Sequence, residues 1–409
     1  MSLQEFKEGH QDLLLENPPT TKDDKWLQWM IVFSDMFYQS YPISKPNNRG
    51  FRFIESPLNN LKSAQKSLLW QFKKFEVHKA AFGLDKNDYL KNALVHKDKK
   101  SILTLDIKNF YKSTTLSKVR AGITKDIQLK DKIEELSPYI FFAPEGLTSP
   151  EDIYLATGSP LSPIISNFVM KEIDQDMQDL ANKSGASYTR YLDDLTFSFD
   201  KELSKEERDK FYVSVIERVR KDGWHINWRK TKWLNPNQDA MVITGVDIRA
   251  MPKVTRRYIV RNLRPRINQI AIDLLRLNIT SLRASMITHD TNSILKLISL
   301  IDPHLGGCLA YVKHVSVDQY DRLSEYFIKR VDRARLLSNY NNNTLHYPLY
   351  IPKSVYDNYE GTSLAEKDVL IGKALYQKEL EILQAGNLPR ELAFIVAEIL
   401  VYRAKKKKV

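Results

Sequence analysis

Residues 188–199 have the sequence Tyr188-Thr189-Arg190-Tyr191-Leu192-Asp193-Asp194-Leu195-Thr196-Phe197-Ser198-Phe199. Polar and apolar residues alternate on both sides of Asp193-Asp194, a pattern that predicts a β-hairpin with an acidic tip. Adjacent carboxylates at a hairpin tip repel one another unless a cation lies between them. Hard divalent cations such as Mg²⁺ bind carboxylate oxygens, so the stretch predicts a metal site. A solvated acidic turn is the commoner explanation of residues 191–194 taken alone.

A second candidate metal ligand, Asp106, lies near the end of an apolar run, residues 101–107, that predicts a buried strand. A carboxylate at this position suits a metal ligand, although an aspartate there also caps helices. Asp106 and Asp193 are 87 residues apart (193 − 106). If their strands are neighbours in one sheet, three carboxylates converge and can hold two Mg²⁺ ions about 3.5–4 Å apart, with Mn²⁺ as an alternative.

The composition favours a polyanionic partner. The 409 residues include 62 Lys and Arg against 50 Asp and Glu, which gives a formal net charge of +12. Such a charge suits nucleic-acid binding through counterion release, although it also fits a basic protein with no such partner. The single Cys308 excludes an internal disulfide and a cysteine-cluster zinc site, and is compatible with the cytoplasm. Because no apolar run reaches the length of a membrane span, we expect no membrane partner.

Six stretches, taken in order, carry a resemblance to a known family. They are residues 45–65, 92–96, 106–111, 158–167, 191–194, and 223–231 followed by 242–245. The set resembles the sequence blocks of reverse transcriptases, and within them the bacterial retron and defence-associated group. The tetrapeptide at 191–194 is a weak signal alone, whereas the ordered set is specific and extends from about residue 41 to about residue 265.

The resemblance implies a fold class. This is an α+β right-hand polymerase with fingers, a palm whose antiparallel sheet packs on helices, and a helical thumb, plus a helical C-terminal extension. We expect a helical N-terminal extension at 1–40 and fingers and palm at 41–250. A helical thumb that binds nucleic acid would follow at 251–335, and a C-terminal helical extension with a basic tail at 336–409.

The resemblance also implies catalytic residues. Asp106, Asp193 and Asp194 match the carboxylates that hold catalytic metal in the family. Lys230 matches a lysine proposed to protonate or neutralise departing pyrophosphate. A solvated lysine among other basic residues is the alternative for Lys230.

A nucleotide pocket is implied by five residues, namely Lys45, Arg52, Tyr111, Thr157 and Gly158. Lys45 and Arg52 match basic residues that bind the triphosphate, a task that suits the forked guanidinium of arginine. Each also fits an ordinary surface charge. Tyr111 matches an aromatic ring beneath the sugar that would clash with a 2′-hydroxyl, although a core aromatic is the alternative. Gly158 permits close approach of the backbone.

Two further groups of residues are expected to contact nucleic acid. Asn92 and His96 belong to a segment that resembles the Asn-Ala-x-x-His block of retron enzymes. The second group consists of arginines that recur with aliphatic residues between them: Arg256, Arg257, Arg261 and Arg264. This pattern fits a basic helix that follows a nucleic-acid backbone, with a solvated basic face as the alternative. Pro265 is expected to break or kink that helix.

The chain departs from the family pattern at two positions. Thr157 stands where retron-type enzymes usually carry Gln, and Leu192 stands where they usually carry Ala. Thr157 cannot make the amide contacts of a glutamine, so we expect altered fidelity or a restricted product. Downstream, Ser162 is the expected N-cap, with Pro163 as the first residue, of a helix that ends near Gly185.

The leading functional hypothesis is an RNA-directed DNA polymerase. It would copy a cognate non-coding RNA from dNTPs into DNA or an RNA/DNA hybrid, in bacterial antiphage defence, with an effector protein or a second copy of the chain as a further partner. Two alternatives remain open. One is a non-polymerising RNA-binding scaffold with a polymerase fold, and the other is template-independent or protein-primed DNA synthesis.

Overall fold

The computed structural model describes residues 25–45, 50–85, 88–236, 240–276, 298, 300–338, 366–384, 397 and 400. The helices are α1 (Trp26–Phe37), α2 (Asn59–Phe72), α3 (Asp88–Val95), α4 (Phe110–Ser113), α5 (Leu116–Gly122), α6 (Ile127–Glu135), α7 (Ser137–Ile140), α8 (Ser162–Val169), α9 (Lys171–Lys183), α10 (Lys205–Lys221), α11 (Arg256–Tyr258), α12 (Arg264–Arg276), α13 (Pro303–Val315), α14 (Val317–Ser338) and α15 (Glu366–Gln384). The strands are β1 (Tyr38–Ser44), β2 (Phe51–Pro57), β3 (Ala81–Phe82), β4 (Ser101–Asp106), β5 (Phe141–Phe142), β6 (Tyr154–Leu155), β7 (Ala186–Tyr191), β8 (Asp194–Phe199), β9 (Lys232–Leu234), β10 (Val242–Ile243), β11 (Val246–Asp247) and β12 (Lys253–Val254).

The chain forms two compact units. Unit 1 comprises residues 1–244 and 248–250, and unit 2 comprises residues 245–247 and 251–409. The finer division into four segments stays a prediction, and the expected basic tail at 404–409 lies outside the described residues. Along the described ranges, every helix is too short or too polar to cross a membrane.

The centre of unit 1 is a five-stranded mixed sheet with the strand order β3-β7-β8-β4-β9. Strands β7 and β8 form the predicted hairpin, and β4 pairs antiparallel with both β8 and β9. The palm sheet was predicted to be antiparallel, and the pairs among β7, β8, β4 and β9 are so, whereas β3 pairs with β7 in parallel at one edge. Parallel neighbours need a long crossover connection, and here about a hundred residues separate β3 from β7.

Burial explains why β4 occupies an interior position in this sheet, between β8 and β9. Ile102 and Leu103 are fully buried and Leu105 is nearly so, as the apolar run predicted. On β8, the ring of Phe197 stacks on Tyr188 of β7 and meets Phe211 of α10 edge-on. Because apolar side chains cover the strand that ends at Asp106, the hydrophobic effect fixes where that carboxylate emerges.

The predicted helix after Gly158 differs from the structure in two details. The helix begins at Ser162 itself. The hydroxyl of Ser162 donates to the carbonyl of Ala156 at 2.6 Å and does not cap the helix. The run is also divided at Met170 into α8 and α9. The helix itself was predicted correctly, whereas the position of its cap was wrong. Its buried apolar residues are Ile164, Ile165, Phe168, Val169, Ile173 and Met177.

In unit 2, Pro265 was predicted to break or kink its helix; the helix is not broken there, and a kink stays a prediction. Residues 256–276 stay helical, through α11, a π-helical turn at Ile259–Leu263, and α12. The N–H of Arg264 donates to the carbonyl of Ile259, one residue further back than in an α-helix. Pro265 has no N–H to donate, and the wider turn just before it accommodates that loss without ending the helix.

His96 joins the two strands of the central hairpin from the end of α3. Its side chain is completely buried, and its ring nitrogens lie 2.7 Å from the hydroxyls of Thr189 on β7 and Ser198 on β8. Burial, helped by the charge of Lys99, lowers the pKa of His96 from 6.5 to about 3. The ring is therefore neutral in the folded protein at every pH above about 3.

We predict that His96 makes the fold sensitive to acid. Because its pKa is lower in the folded state, the unfolded chain takes up a proton first as the pH falls. The stability that depends on neutral His96 is complete above pH 6.5, declines toward pH 3, and is reduced by about 2 kcal/mol at pH 5. Urea unfolding at pH 8 and pH 5 should show a larger loss for wild type than for His96→Gln. Equal losses would contradict the prediction.

Candidate active site

Asp106 and Asp194 face each other across two paired strands. Asp106 is the last residue of β4, Asp194 is the first residue of β8, and the antiparallel register places them directly opposite one another. The N–H of Ile107 donates to the carbonyl of Asp193 at 2.8 Å, which ties the hairpin tip to the end of β4. Opposed residues in such a pair have Cβ atoms about 4.5–5.5 Å apart, so the acidic side chains share one small region.

The pKa values of the two carboxyl groups at the hairpin tip, Asp193 and Asp194, are both raised. The pKa of Asp194 is raised to about 7, first by the protein atoms that displace water from the tip and then by the charges of Asp193 and Asp106. Burial and the charge of Asp106 also raise the pKa of Asp193. Lys230 opposes both shifts with its positive charge. A region in which several carboxylates resist ionisation is one where a divalent cation binds favourably.

Both oxygens of Asp106 are held by the segment that precedes β9. The ammonium of Lys230 donates to Oδ2 at 2.5 Å, and the amide of Asn227 donates to Oδ1 at 3.2 Å. The N–H of Asn227 also donates to the carbonyl of Asp106 at 2.8 Å. Asn227 was not predicted as a site residue, although its position three residues before Lys230 in the same sequence block was the available signal.

The donor set fits a divalent cation, but these side chains do not enclose one in this conformation. Within the described ranges, no three His, Cys, Asp or Glu side chains are arranged to hold a metal ion. Both oxygens of Asp106 accept from Lys230 and Asn227. An ion bound by Asp106 must compete with the ammonium of Lys230 for that carboxylate. Carboxylate oxygens are nevertheless the ligands that Mg²⁺ prefers.

A buried arginine supports the hairpin tip from within. Arg190 is completely buried, and its guanidinium makes a two-pronged ion pair with Asp174 of α9, at 2.8 and 2.6 Å. It also donates to Asn167 at 2.9 Å and to the carbonyl of Leu192 at 3.0 Å. Tyr188 donates its hydroxyl to the same Asp174 at 2.8 Å. This network was not predicted, although a charged residue inside a buried strand requires a partner.

The hairpin turn is strained at Leu192. This residue has a left-handed φ of 55°, which is uncommon for a branched side chain. Its side chain packs against Gly83, where a Cβ atom would lie 2.7 Å from the Leu192 Cδ2. Because Gly83 has no side chain, it leaves space for Leu192. Leu192 stands where retron-type enzymes usually carry the smaller alanine. Arg190 holds the Leu192 carbonyl and so helps to maintain the strained turn.

Two of the predicted nucleotide-binding residues lie near the tip. Burial raises the pKa of the Tyr111 hydroxyl, and the charge of Asp193 raises it further, so Tyr111 lies within the electrostatic range of that carboxylate. Asn109, with φ of 52°, turns the chain from β4 into the helix that carries Tyr111. Arg52 is exposed on β2, and its charge lowers the pKa of Asp193. Lys45 is exposed at the turn end of the β1–β2 hairpin, where its N–H donates to the carbonyl of Gly50 at 2.8 Å.

The loop at Thr157 and Gly158 lies against β2. The N–H of Gly158 donates to the carbonyl of Glu55 at 2.9 Å. A Cβ atom on Gly158 would lie 2.7 Å from that oxygen and 2.9 Å from the Cα of Ser56. Only glycine permits so close an approach of two backbones, as the sequence analysis expected.

Asn92 and His96 do not lie on a nucleic-acid surface. Their exposed fractions are 1% and 0%, since α3 packs this face against β7. The prediction that these side chains contact nucleic acid therefore disagrees with the structure. Their segment instead packs inside unit 1, where the hydroxyl of Thr244 donates to the carbonyl of Tyr89 at 2.6 Å.

The predicted arginines of unit 2 are exposed along the helical run at 256–276. They are Arg256, Arg257, Arg261 and Arg264. The guanidinium of Arg264 lies 5.1 Å from the ring centre of Tyr326, and that of Arg330 lies at the same distance. Their exposure is what a polyanion-binding surface requires, and their contact with nucleic acid remains a prediction.

Residues 43–259 match the family model described as reverse transcriptase (RNA-dependent DNA polymerase). Because the match covers more than half of the 409 residues, the chain belongs to the reverse transcriptase family and has its fold.

Relatives of known type support the more specific resemblance. The chain is 30% identical over 243 residues to the Retron Se72 reverse transcriptase of Salmonella heidelberg (strain 579083-10), covering 58% of this chain and 62% of the relative. It is 27% identical over 311 residues to the Retron Mx65 reverse transcriptase of Myxococcus xanthus, covering 70% and 63%. It is 25% identical over 303 residues to the Retron Ec73 reverse transcriptase of Escherichia coli, covering 71% and 87%. The predicted resemblance to retron-type reverse transcriptases is thus confirmed, and the chain spans about three fifths of the first two relatives.

We predict that Arg190→Met destabilises the protein by about 3–5 kcal/mol, because it leaves the Asp174 carboxylate buried without its partner. The double variant Arg190→Met with Asp174→Leu removes both charges and should recover most of that loss. Thermal unfolding followed by circular dichroism measures both effects.

The matched control is Lys201→Met, which breaks an exposed ion pair with Glu207. We expect this variant to change stability by less than about 1 kcal/mol. Similar effects of Arg190→Met and Lys201→Met would show that the buried network does not support the hairpin.

Proposed function

We propose that this chain is an RNA-directed DNA polymerase that copies a cognate non-coding RNA into DNA. The observation that carries the proposal is the register that sets Asp106 opposite Asp194, with Asp193 beside them. Membership of the reverse transcriptase family supports it. The retron relatives, which are named reverse transcriptases, support the copying of RNA into DNA. We propose further that the template is a small dedicated RNA, that the chain acts in the cytoplasm of a bacterium in antiphage defence, and that its partner is an effector protein or a second copy of the chain.

In the proposed reaction, a primer 3′-hydroxyl attacks the α-phosphate of a dNTP. A phosphodiester bond forms, and pyrophosphate leaves. Asp106, Asp193 and Asp194 would hold two Mg²⁺ ions, which supply activation of the hydroxyl and neutralisation of the leaving group. Lys230, which contacts Asp106, is the residue we propose to protonate or neutralise the pyrophosphate.

The incoming nucleotide would be held on the side of the tip where Tyr111 and Arg52 lie. Arg52 is suited to bind the triphosphate, because its guanidinium offers paired donors to phosphate oxygens. Lys45, exposed on the same hairpin, would add a second positive charge. The ring of Tyr111 would exclude a 2′-hydroxyl, and Thr157 and Gly158 would border the pocket.

We also propose a role for each of two segments of the chain. Residues 41–250 would act as fingers and palm, and residues 251–335 as a thumb. The exposed arginines of α11 and α12 support contact with the template–product duplex, since they present positive charge along one helical run. A scaffold that only binds RNA is less consistent with the site, because a cluster of three carboxylates repels the phosphate backbone.

We predict that Asp193→Ala combined with Asp194→Ala abolishes dNTP incorporation on a primed RNA template, because the metal ligands are lost. RNA affinity, measured by filter binding, should not fall, since the change removes only negative charge. The control is Asp200→Ala, which alters an exposed aspartate paired with Lys99 just beyond β8 and should leave incorporation unchanged. Incorporation by the double variant at the wild-type rate would reject the site.

Sequencing the nucleic acids that copurify with the wild-type chain tests the template. We expect one abundant small RNA together with DNA complementary to it. RNA without DNA would favour the scaffold, and homopolymeric DNA without a complementary RNA would favour untemplated synthesis.

A further inference from the structure

Glu55 is a buried carboxylate with no role in the reaction proposed above. It lies near the end of β2, and only 2% of its surface is exposed. A carboxylate in such a position is unfavourable unless it is paired and hydrogen-bonded. The residues that bind Glu55 therefore indicate why its carboxylate is buried.

The side chain of Glu55 holds two other segments. Its Oε1 forms an ion pair with the ammonium of Lys112 at 2.5 Å. Its Oε2 accepts a long hydrogen bond, 3.4 Å, from the N–H of Thr157. Lys112 belongs to α4, and Thr157 belongs to the loop that precedes α8.

The main chain of Glu55 adds another contact to the loop that contains Thr157. Its carbonyl accepts the N–H of Gly158 at 2.9 Å, and the two backbones are too close for any side chain at 158. Consecutive N–H groups of the loop therefore bind one residue, Thr157 through the side chain and Gly158 through the carbonyl.

Each segment that meets at Glu55 also carries a residue of the proposed nucleotide pocket. Strand β2 carries Arg52, and α4 carries Tyr111 next to Lys112. The loop supplies Thr157 and Gly158. Glu55 thus joins, from behind, three pieces of chain that come from distant parts of the sequence.

We propose that Glu55 is a positioning residue, which ties Lys112 and the Thr157–Gly158 loop to β2 and so sets how closely Tyr111 approaches the sugar of the nucleotide. This inference rests on the proposed polymerase function. Glu55 does not touch the nucleotide; it acts through Tyr111. The consequence is that the Glu55–Lys112 pair controls discrimination between deoxynucleotides and ribonucleotides.

The physical basis is that a ring excludes a 2′-hydroxyl only when it is held in place. Small displacements of positioning groups have large effects on rate, up to about 100-fold for 1 Å. Without the ion pair, α4 would be held less firmly against β2. The ring of Tyr111 would then move aside when a ribonucleotide binds. Loss of the pair should therefore weaken discrimination more than it slows the chemistry.

The test compares Glu55→Gln and Lys112→Met with wild type on a primed RNA template. Glutamine keeps the shape and the acceptor for Thr157 but removes the charge. We expect both variants to raise KM for dNTP about 10-fold with kcat within about 3-fold, and to lower the ratio of kcat/KM for dNTP over rNTP about 10-fold. The double variant should be no worse than either single one, since both remove the same pair.

Two controls separate this role from a general effect on folding. Lys112→Arg keeps the ion pair and should retain discrimination near the wild-type value. Glu76→Gln removes the charge of an exposed glutamate that pairs with Lys171, and it should change neither KM nor discrimination. Hydrogen exchange of residues 155–160 should be faster in Glu55→Gln than in wild type, because the contact to Thr157 is weakened.

The outcomes distinguish this inference from the function on which it rests. A wild-type chain that incorporates no dNTP would reject the proposed polymerase activity, and with it the role in discrimination. An active wild-type chain with unaltered discrimination in both Glu55→Gln and Lys112→Met would reject only the role of Glu55. Unchanged exchange at 155–160 would show that the negative charge of Glu55 does not contribute to holding the loop.

Discussion

Three carboxylates held in one place repel one another, and the pairing of β4 with β8 holds them there against that repulsion. The residues next to the acidic pair, Leu105 and Leu195, are also paired across the two strands and are almost completely buried. A slip of one residue would turn these leucines out of the core, so their burial fixes the register that brings Asp106 opposite Asp194. The hydrophobic core therefore maintains an arrangement that electrostatics alone oppose.

Polar groups on either side of the tip complete this support. Beneath it, Arg190 is anchored by Asp174 and binds the carbonyl at the strained turn. On the β9 side, Lys230 and Asn227 hold the carboxylate of Asp106. The first network is buried and fixes the backbone, whereas Lys230 is half exposed and offsets part of the negative charge. A buried network that fixes the backbone and a half-exposed lysine suit a site where the backbone stays in place while cations bind and leave.

The region of the proposed nucleotide pocket depends on contacts between backbones more than on side chains. Gly158 lets the loop touch β2, and Asn109 lets the chain turn sharply out of β4 toward Tyr111. Thr157 is short, yet its N–H reaches the carboxylate of Glu55. Retron-type enzymes usually carry glutamine at the position of Thr157. Here the main-chain N–H of Thr157 contacts the buried carboxylate of Glu55 instead.

By itself, the sequence determined the local elements: the acidic hairpin, the buried strand before Asp106, and the close approach at Gly158. Each follows from neighbouring residues, through alternation, apolar runs or the absence of a Cβ atom. The sequence could not show that His96 is enclosed, since a polar residue on a short helix fits a surface equally well. Only the tertiary structure decided that Asp106 lies opposite Asp194 and that Arg190 finds Asp174. Those contacts join segments distant in the chain, and their formation depends on how the whole core packs.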